Sequence, residues 1–168
     1  TAVRWVRERG SAMQEAVPIG EGTMCAVLGA EDSAVEEWCK EATIAAKAIR
    51  EANGTSQTVN CTVEPANYNA PGQIVVSGSV DAVDALEKLI KEKNIRGVMA
   101  KRLSVSAPFH CSLMKPARTV MEEIFTKAQQ AGNLKPLATP YIPNRTARVT
   151  QEQSVVFELL AEQVDHSV

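Results

Sequence analysis

The chain carries no surplus of positive charge. Eighteen basic residues stand against twenty acidic ones in 168, a formal net charge of −2, so neither nucleic acid nor an anionic membrane surface is invited by charge. No apolar run approaches the roughly 20 residues that span a bilayer, and no secretory signal pattern is visible. Cysteine is sparse. Cys25, Cys39, Cys61 and Cys111 lack the C-x-x-C spacing of a zinc site and are too few for a disulfide scaffold, so reduced, buried thiols in a cytoplasmic protein are expected. Internal repeats and low-complexity segments are missing as well. What remains is globular in composition, 45% hydrophobic and 23% charged, which excludes a disordered chain. The length suits one domain or pieces of a larger one.

Hydrophobic spacing supplies an order of elements. Val3, Val6, Met13 and Ala16 between charges predict a helix over residues 2–16, broken by Pro18, Gly20 and Gly22. Residues 23–29 read as a short apolar strand. Ser33-Ala34-Val35-Glu36 has the form of a capping box, and the helix it opens places Val35, Trp38, Cys39, Ala42, Ala45 or Ala46, and Ile49 on one stripe, ending at Asn53-Gly54-Thr55-Ser56. Residues 59–68 and 73–77 predict two strands joined by the turn Asn69-Ala70-Pro71-Gly72. Residues 79–93 predict a helix burying Val83, Leu86, Leu89 and Ile90, and 96–105 a further strand. The order β-α-β-β-α-β over 23–103 is the ferredoxin-like split βαβ pattern, two helices on one face of an antiparallel sheet. A helix from Leu113 with Ala117, Val120, Met121, Ile124 and Ala128 on one face, and another over 151–164, complete the pattern.

The chemistry-bearing stretch is Ser104-Val105-Ser106-Ala107-Pro108-Phe109-His110-Cys111-Ser112-Leu113-Met114-Lys115-Pro116. Proline disfavours helix for the residue before it, so Ala107 should be extended and the chain should turn near His110. A histidine on a rigid loop at the mouth of a helix suits a general base; the same residue type also caps or packs. A Cys111–His110 catalytic pair is not expected, because sequence neighbours rarely present side chains to one another. His166 matches no motif and is expected at the surface.

This loop resembles the histidine motif of the malonyl-CoA:acyl carrier protein transacylases. Arg7-Glu8-Arg9-Gly10-Ser11-Ala12-Met13-Gln14-Glu15-Ala16-Val17-Pro18 resembles the arginine helix of that family. Pro65-Ala66-Asn67-Tyr68-Asn69-Ala70-Pro71-Gly72-Gln73-Ile74-Val75-Val76-Ser77-Gly78 is similar to its Asn-rich hairpin, and Glu162-Gln163-Val164 to the segment before its last core strands. The resemblance implies an α/β enzyme with an α+β insert. Residues 23–103 would be a ferredoxin-like small subdomain, and 1–22 and 104–168 fragments of an α/β-hydrolase-like large subdomain. The chain then reads as the middle of a longer enzyme.

The chemistry implied is transfer of malonyl from coenzyme A to the phosphopantetheine thiol of acyl carrier protein, through a malonyl-serine ester, in fatty acid biosynthesis. His110 would be the base. Arg9 would grip the malonyl carboxylate bidentately, a task for a planar guanidinium that lysine does not match; otherwise it is a solvated helix charge like Arg4 and Arg7. Phe109 would set acyl selectivity or pack in the core, Met13 would line the pocket or the core, and Asn69, with Asn67, would face the pantetheine channel or simply form the turn. Lys101-Arg102 is similar in composition to a pair that meets the coenzyme A phosphates, and a basic strand edge explains it equally. No cofactor or metal is implied, malonyl-CoA being a substrate. The partners are malonyl-CoA and acyl carrier protein, with no nucleic acid or membrane, and a monomer is the expected state.

Three family features are missing from the sequence: the Gly-His-Ser-x-Gly elbow that exposes the nucleophile, the Gly-Gln-Gly segment that helps stabilise the oxyanion, and the C-terminal region that orients the histidine. The chain by itself is therefore expected to be inactive. Alternatives are the acyltransferase domain of a polyketide synthase and a non-catalytic ferredoxin-like binding module.

Overall fold

The computed structural model describes residues 2–54, 59–132 and 136–168. Within them lie five α-helices and a four-stranded sheet: α1 (Ala2–Glu15), β1 (Gly22–Leu28), α2 (Asp32–Asn53), β2 (Val63–Ala70), β3 (Gln73–Ser79), α3 (Val80–Lys93), β4 (Met99–Arg102), a 3-10 turn at Ser112–Met114, α4 (Lys115–Gln130) and α5 (Gln153–Asp165). The sheet order is β2-β3-β1-β4 with every neighbouring pair antiparallel. Elements β1 to β4 follow the β-α-β-β-α-β order expected of residues 23–103.

The sheet has two unlike faces because successive strand residues point to opposite sides. Cys25 and Val27 of β1 and Ile74 and Val76 of β3 pack under α2 and α3 with Val35, Trp38, Ala42, Val83, Leu86 and Ile90. Their alternates, Met24, Ala26 and Val75, join Ala66 on the other face, where Leu103 and Phe109 cover them. A second core unites α1, α4 and α5 through Met13, Leu113, Met114, Ala117, Met121, Phe125 and Val164. Trp5 meets Phe125 and Phe157 edge to face, with ring centroids 5.6 and 6.1 Å apart, and the two phenylalanines pack tilted at 5.0 Å, which locks the three helices together. The His110 loop runs between the sheet and this helical layer, and Phe109 packs against both.

Several elements depart from the sequence reading. α2 begins at Asp32, not with a Ser33 cap: the amides of Ala34 and Val35 both donate to the Glu31 carbonyl, and no side chain caps the helix. Ile49 is 58% exposed. Position 50 continues the stripe of Val35, Cys39, Ala42 and Ala46, and Arg50 there forms a bidentate pair with Asp81, donating also to the Val59 carbonyl at 2.7 Å. Gly54 closes α2 in the left-handed conformation (φ 61°); Thr55 and Ser56 lie outside the described residues. Strand β2 starts at Val63, and Asn69 and Ala70 belong to it, leaving only Pro71-Gly72 for the turn, with Gly72 at φ 73°. Pro65 is tolerated because β2 is an edge strand, irregular between Pro65 and Asn67. Strand β4 covers four residues where ten were expected, since a turn from Ile95 to Val98 precedes it and pairing with β1 stops soon after Cys25–Arg102.

On α4 the buried positions are Ala117, Met121 and Phe125, continuing the i, i+4 line from Leu113. Val120 is 40% exposed, and Phe125 takes the place expected of it. On α1 only Ala12 and Met13 are buried, while Val3 and Val6 face outward. No helix of the described residues is long and apolar enough to cross a membrane, and all four cysteines are free and buried.

Candidate active site

Pro108 is buried and Ala107 is 1% exposed, and the chain reverses at His110, which adopts φ 58° in the left-handed region. Proline rigidity before the histidine and the 3-10 turn after it leave that residue to absorb the change of direction. The loop is tied to α1 on one side: the Ser106 hydroxyl donates to Gln14 Oε1 at 2.7 Å, and Gln14 Nε2 donates to the Ser106 carbonyl at 3.5 Å. Beneath it, Pro108 rests on Gly22 at the start of β1, where an added Cβ would stand 2.4 Å from the Pro108 ring carbons.

His110 Nδ1 lies 2.5 Å from the main-chain carbonyl of Gln163. A carbonyl only accepts, so Nδ1 carries the proton, and in the neutral ring Nε2 is left with its lone pair. The acceptor is in the last turn of α5, where carbonyls lack helical partners. This corrects one expectation: a segment that orients the histidine is present, at Gln163. A main-chain acceptor leaves no trace in residue type, and the similarity around Glu162-Gln163-Val164 gave that run no part in holding the histidine.

Burial, and secondly the positive charge of Arg9, hold the His110 pKa below the ordinary imidazole value against the opposing pull of the Gln163 hydrogen bond. His110 is thus neutral near pH 7, the form that accepts a proton. The same electrostatics place Arg9 of α1 near the histidine. Arg9 is half-buried, and burial lowers its pKa from the usual guanidinium value. Among the described residues it makes no ion pair or side-chain hydrogen bond. An unpaired, partly desolvated guanidinium beside a neutral histidine is a ready receptor for a carboxylate.

The remaining candidates are spread more widely. Phe109, half-buried, lies against Met24, Ala26, Ala66 and Val75. Met13 is 2% exposed and packs among Cys111, Leu113 and Met114, so it supports the loop from the core. Asn69 is exposed near the tip of the β2–β3 hairpin and Asn67 is half-buried in β2; no hydrogen bond joins either side chain to His110 or Arg9 among the described residues. Arg102 is already committed, to Glu87 at 2.8 and 2.9 Å and to Asp84 at 2.5 Å, whereas the exposed Lys101 of that pair has no carboxylate partner among the described residues. Cys111 donates its thiol to the Pro108 carbonyl at 3.2 Å, and burial pushes it up to about 12, so it is inert beside His110. His166 keeps 41% of its side chain exposed, with Nδ1 2.6 Å from Asp165. It lines a cavity of about 810 Å³ between α2, β2 and the end of α5 that touches neither His110 nor Arg9.

No protein-family model matches the chain. It is 37% identical over 163 residues to the malonyl CoA-acyl carrier protein transacylase of Bacillus subtilis, covering 97% of this chain and 45% of that protein. The crystal structure of acyl-carrier-protein S-malonyltransferase from Burkholderia pseudomallei superposes with a TM-score of 0.80 at 33% identity, over 99% of this chain and 48% of that one. A malonyl-transacylase in complex with its type II PKS acyl-carrier protein superposes at 0.76 with 30% identity, over 99% and 47%. The chain spans about half the length of the relatives it matches. By sequence and by fold, then, it is a relative of the malonyl CoA-acyl carrier protein transacylases along nearly all of its own length.

Proposed function

We propose that the chain is the part of a malonyl-CoA:acyl carrier protein transacylase that carries the base and the carboxylate clamp. The observation that bears most weight is Arg9, half-buried and without a carboxylate partner among the described residues, within electrostatic reach of a histidine whose Nδ1 is occupied by a carbonyl. In this reading the nucleophile is a serine on a segment outside the chain. His110 Nε2 takes the hydroxyl proton as the serine oxygen attacks the malonyl thioester. It returns that proton to the departing coenzyme A sulfur. In the second half it takes the proton of the carrier protein's phosphopantetheine thiol, whose sulfur attacks the malonyl-serine ester, and gives it back to the serine oxygen. Arg9 binds the free malonyl carboxylate with two parallel N–H donors, and acetyl offers it nothing to hold.

Residues 23–103 serve in this reading as the ferredoxin-like insert, supported by the element and strand order, with 1–22 and 104–168 as the flanking large-subdomain fragments. The pathway is fatty acid biosynthesis, and the partners are malonyl-CoA and acyl carrier protein. The similarity to a type II PKS malonyl-transacylase favours polyketide synthesis as the second reading; the chemistry is the same. The test is acyl-serine formation from malonyl-CoA and acetyl-CoA in a polypeptide that also carries the serine elbow. His110→Ala should suppress both donors. Arg9→Ala should lower malonyl transfer by about 30- to 5,000-fold, equivalent to about 2–5 kcal/mol for removing one partner of a desolvated charge pair, with acetyl transfer little changed; equal losses for both donors would remove the clamp.

A further inference from the structure

His110 holds a backbone conformation that costs a residue with a Cβ roughly 1–2 kcal/mol, at φ 58°, so neighbouring contacts must impose it. Gln163 holds the ring and Gln14 holds Ser106. The chain beyond the histidine needs its own anchor. There the 3-10 turn Ser112–Met114 opens without a side-chain cap from its own N-cap residue, Cys111, whose thiol is turned to Pro108.

The anchor comes from β2, 48 residues away in sequence. Glu64 Oε2 accepts the Ser112 amide N–H at 3.0 Å, and Glu64 Oε1 accepts the Ser112 hydroxyl. The same Oε1 accepts the Thr62 hydroxyl at 2.9 Å, which fixes the carboxylate in turn. Because the 3-10 turn runs straight into α4, this carboxylate stands at the positive end of the combined helix, where a negative charge is favoured.

We propose that Glu64 is a positioning residue for His110. By pinning Ser112 to the edge strand it keeps the intervening Cys111 buried and the imidazole over the Gln163 carbonyl, in the tautomer with Nε2 free. Glu64 touches neither the ring nor any reacting atom; it acts through Ser112 and the backbone. Its importance for catalysis rests on the reading of His110 as the base, while its effect on the tautomer does not.

The test reads the His110 ring by ¹⁵N NMR of the purified protein. In the unaltered protein the Nδ1–H form should dominate. Glu64→Ala should lose that dominance, giving the tautomer mixture of an unconstrained imidazole. Glu64→Gln, which keeps an acceptor oxygen, should restore most of it. Glu87→Ala, which breaks a carboxylate pair with β4 on the opposite edge, should leave the signal unchanged. A folded Glu64→Ala protein with an undisturbed His110 signal would overturn the proposal. If that variant does not fold, Ser112→Ala decides, since it removes only the hydroxyl contact: a partial shift supports the proposal and none overturns it. In a serine-bearing enzyme, Glu64→Ala should lower kcat for malonyl and acetyl donors alike with KM retained. A shifted NMR signal with unaltered turnover would leave the positioning role standing and refute the catalytic one.

Discussion

Gly22→Ala is the sharpest probe of how the fold places the histidine. Gly22 lies in β1, pairs with Ser79 of β3, and has no positive φ that alanine would resist. Judged by backbone alone, the substitution should stabilise by about 0.4–1 kcal/mol, through lower entropy of the unfolded chain. The packing reverses that sign. The new methyl would meet Pro108 Cδ and Cγ at 2.4 Å, so about 1 Å of separation must be found to reach ordinary carbon–carbon contact. The strand is held by its ladder and the proline ring is rigid and buried, so the loop must move. Overpacking of this kind costs about 1–3 kcal/mol, leaving a net loss of up to about 2.6 kcal/mol and a Tm lower by up to roughly 10 °C for a chain of this size. A similar displacement two residues on would stretch the 2.5 Å contact from His110 to Gln163 beyond hydrogen-bond range. In a complete enzyme, a misplacement of that order costs about a hundredfold in rate. Thermal unfolding and the His110 ¹⁵N signals would be compared with those of Gly10→Ala, where no atom lies within 4 Å of the added carbon and stabilisation is expected. If Gly22→Ala matched Gly10→Ala in Tm and left the His110 signals in place, the packing argument would be refuted.

Other outcomes follow from the same geometry. Leu86 of α3, fully buried in the core between the helices and the sheet, should cost about 2–5 kcal/mol on Leu86→Ala, read by urea unfolding; a loss under 1 kcal/mol would mean that the core there collapses freely. Burial pushes the Asp81 carboxyl up, but the Arg50 hydrogen bond and charge outweigh it and hold the group below the usual carboxylate value. Its stabilisation is therefore complete above about pH 4, the unfolded value, and is lost as pH falls through the lower folded value. Asp81→Asn should flatten the acid limb of the stability curve. On the proposed reading, malonyl transfer by a serine-bearing enzyme should fall as pH drops through the depressed His110 pKa, and a weakly active Arg9→Ala variant of it should show that limb at higher pH, because the Arg9 charge is one cause of the depression; an unmoved limb would separate the two residues. Arg9→Lys should recover little malonyl transfer, since a point charge does not reproduce two parallel donors.

Local sequence determined much of this protein. Short continuous apolar runs set β1 and β3, the 3.6-residue stripes of α2 and α3 gave both helices and the face they bury, and the order of those pieces already implied the antiparallel sheet. Pro108 ahead of His110 foretold the reversal. Arg9 and His110 were legible as candidates because both sit in runs similar to a known family, although only the fold brings α1 within electrostatic reach of the loop. Other features depended on contacts distant in sequence. Arg50 in place of Ile49 completes the α2 stripe because Asp81, on another helix, awaits it. Arg102 is unavailable to a phosphate because Glu87 and Asp84 of α3 face it. His110 owes its tautomer to a main-chain oxygen of α5, and its loop to Gln14 and Glu64. Periodicity reports which face of an element is buried, since burial is a property of the local repeat. It carries no information on which donor meets which acceptor across 48 or 53 residues, and those pairings, made only when the layers close on one another, hold the His110 ring in one orientation and one tautomer.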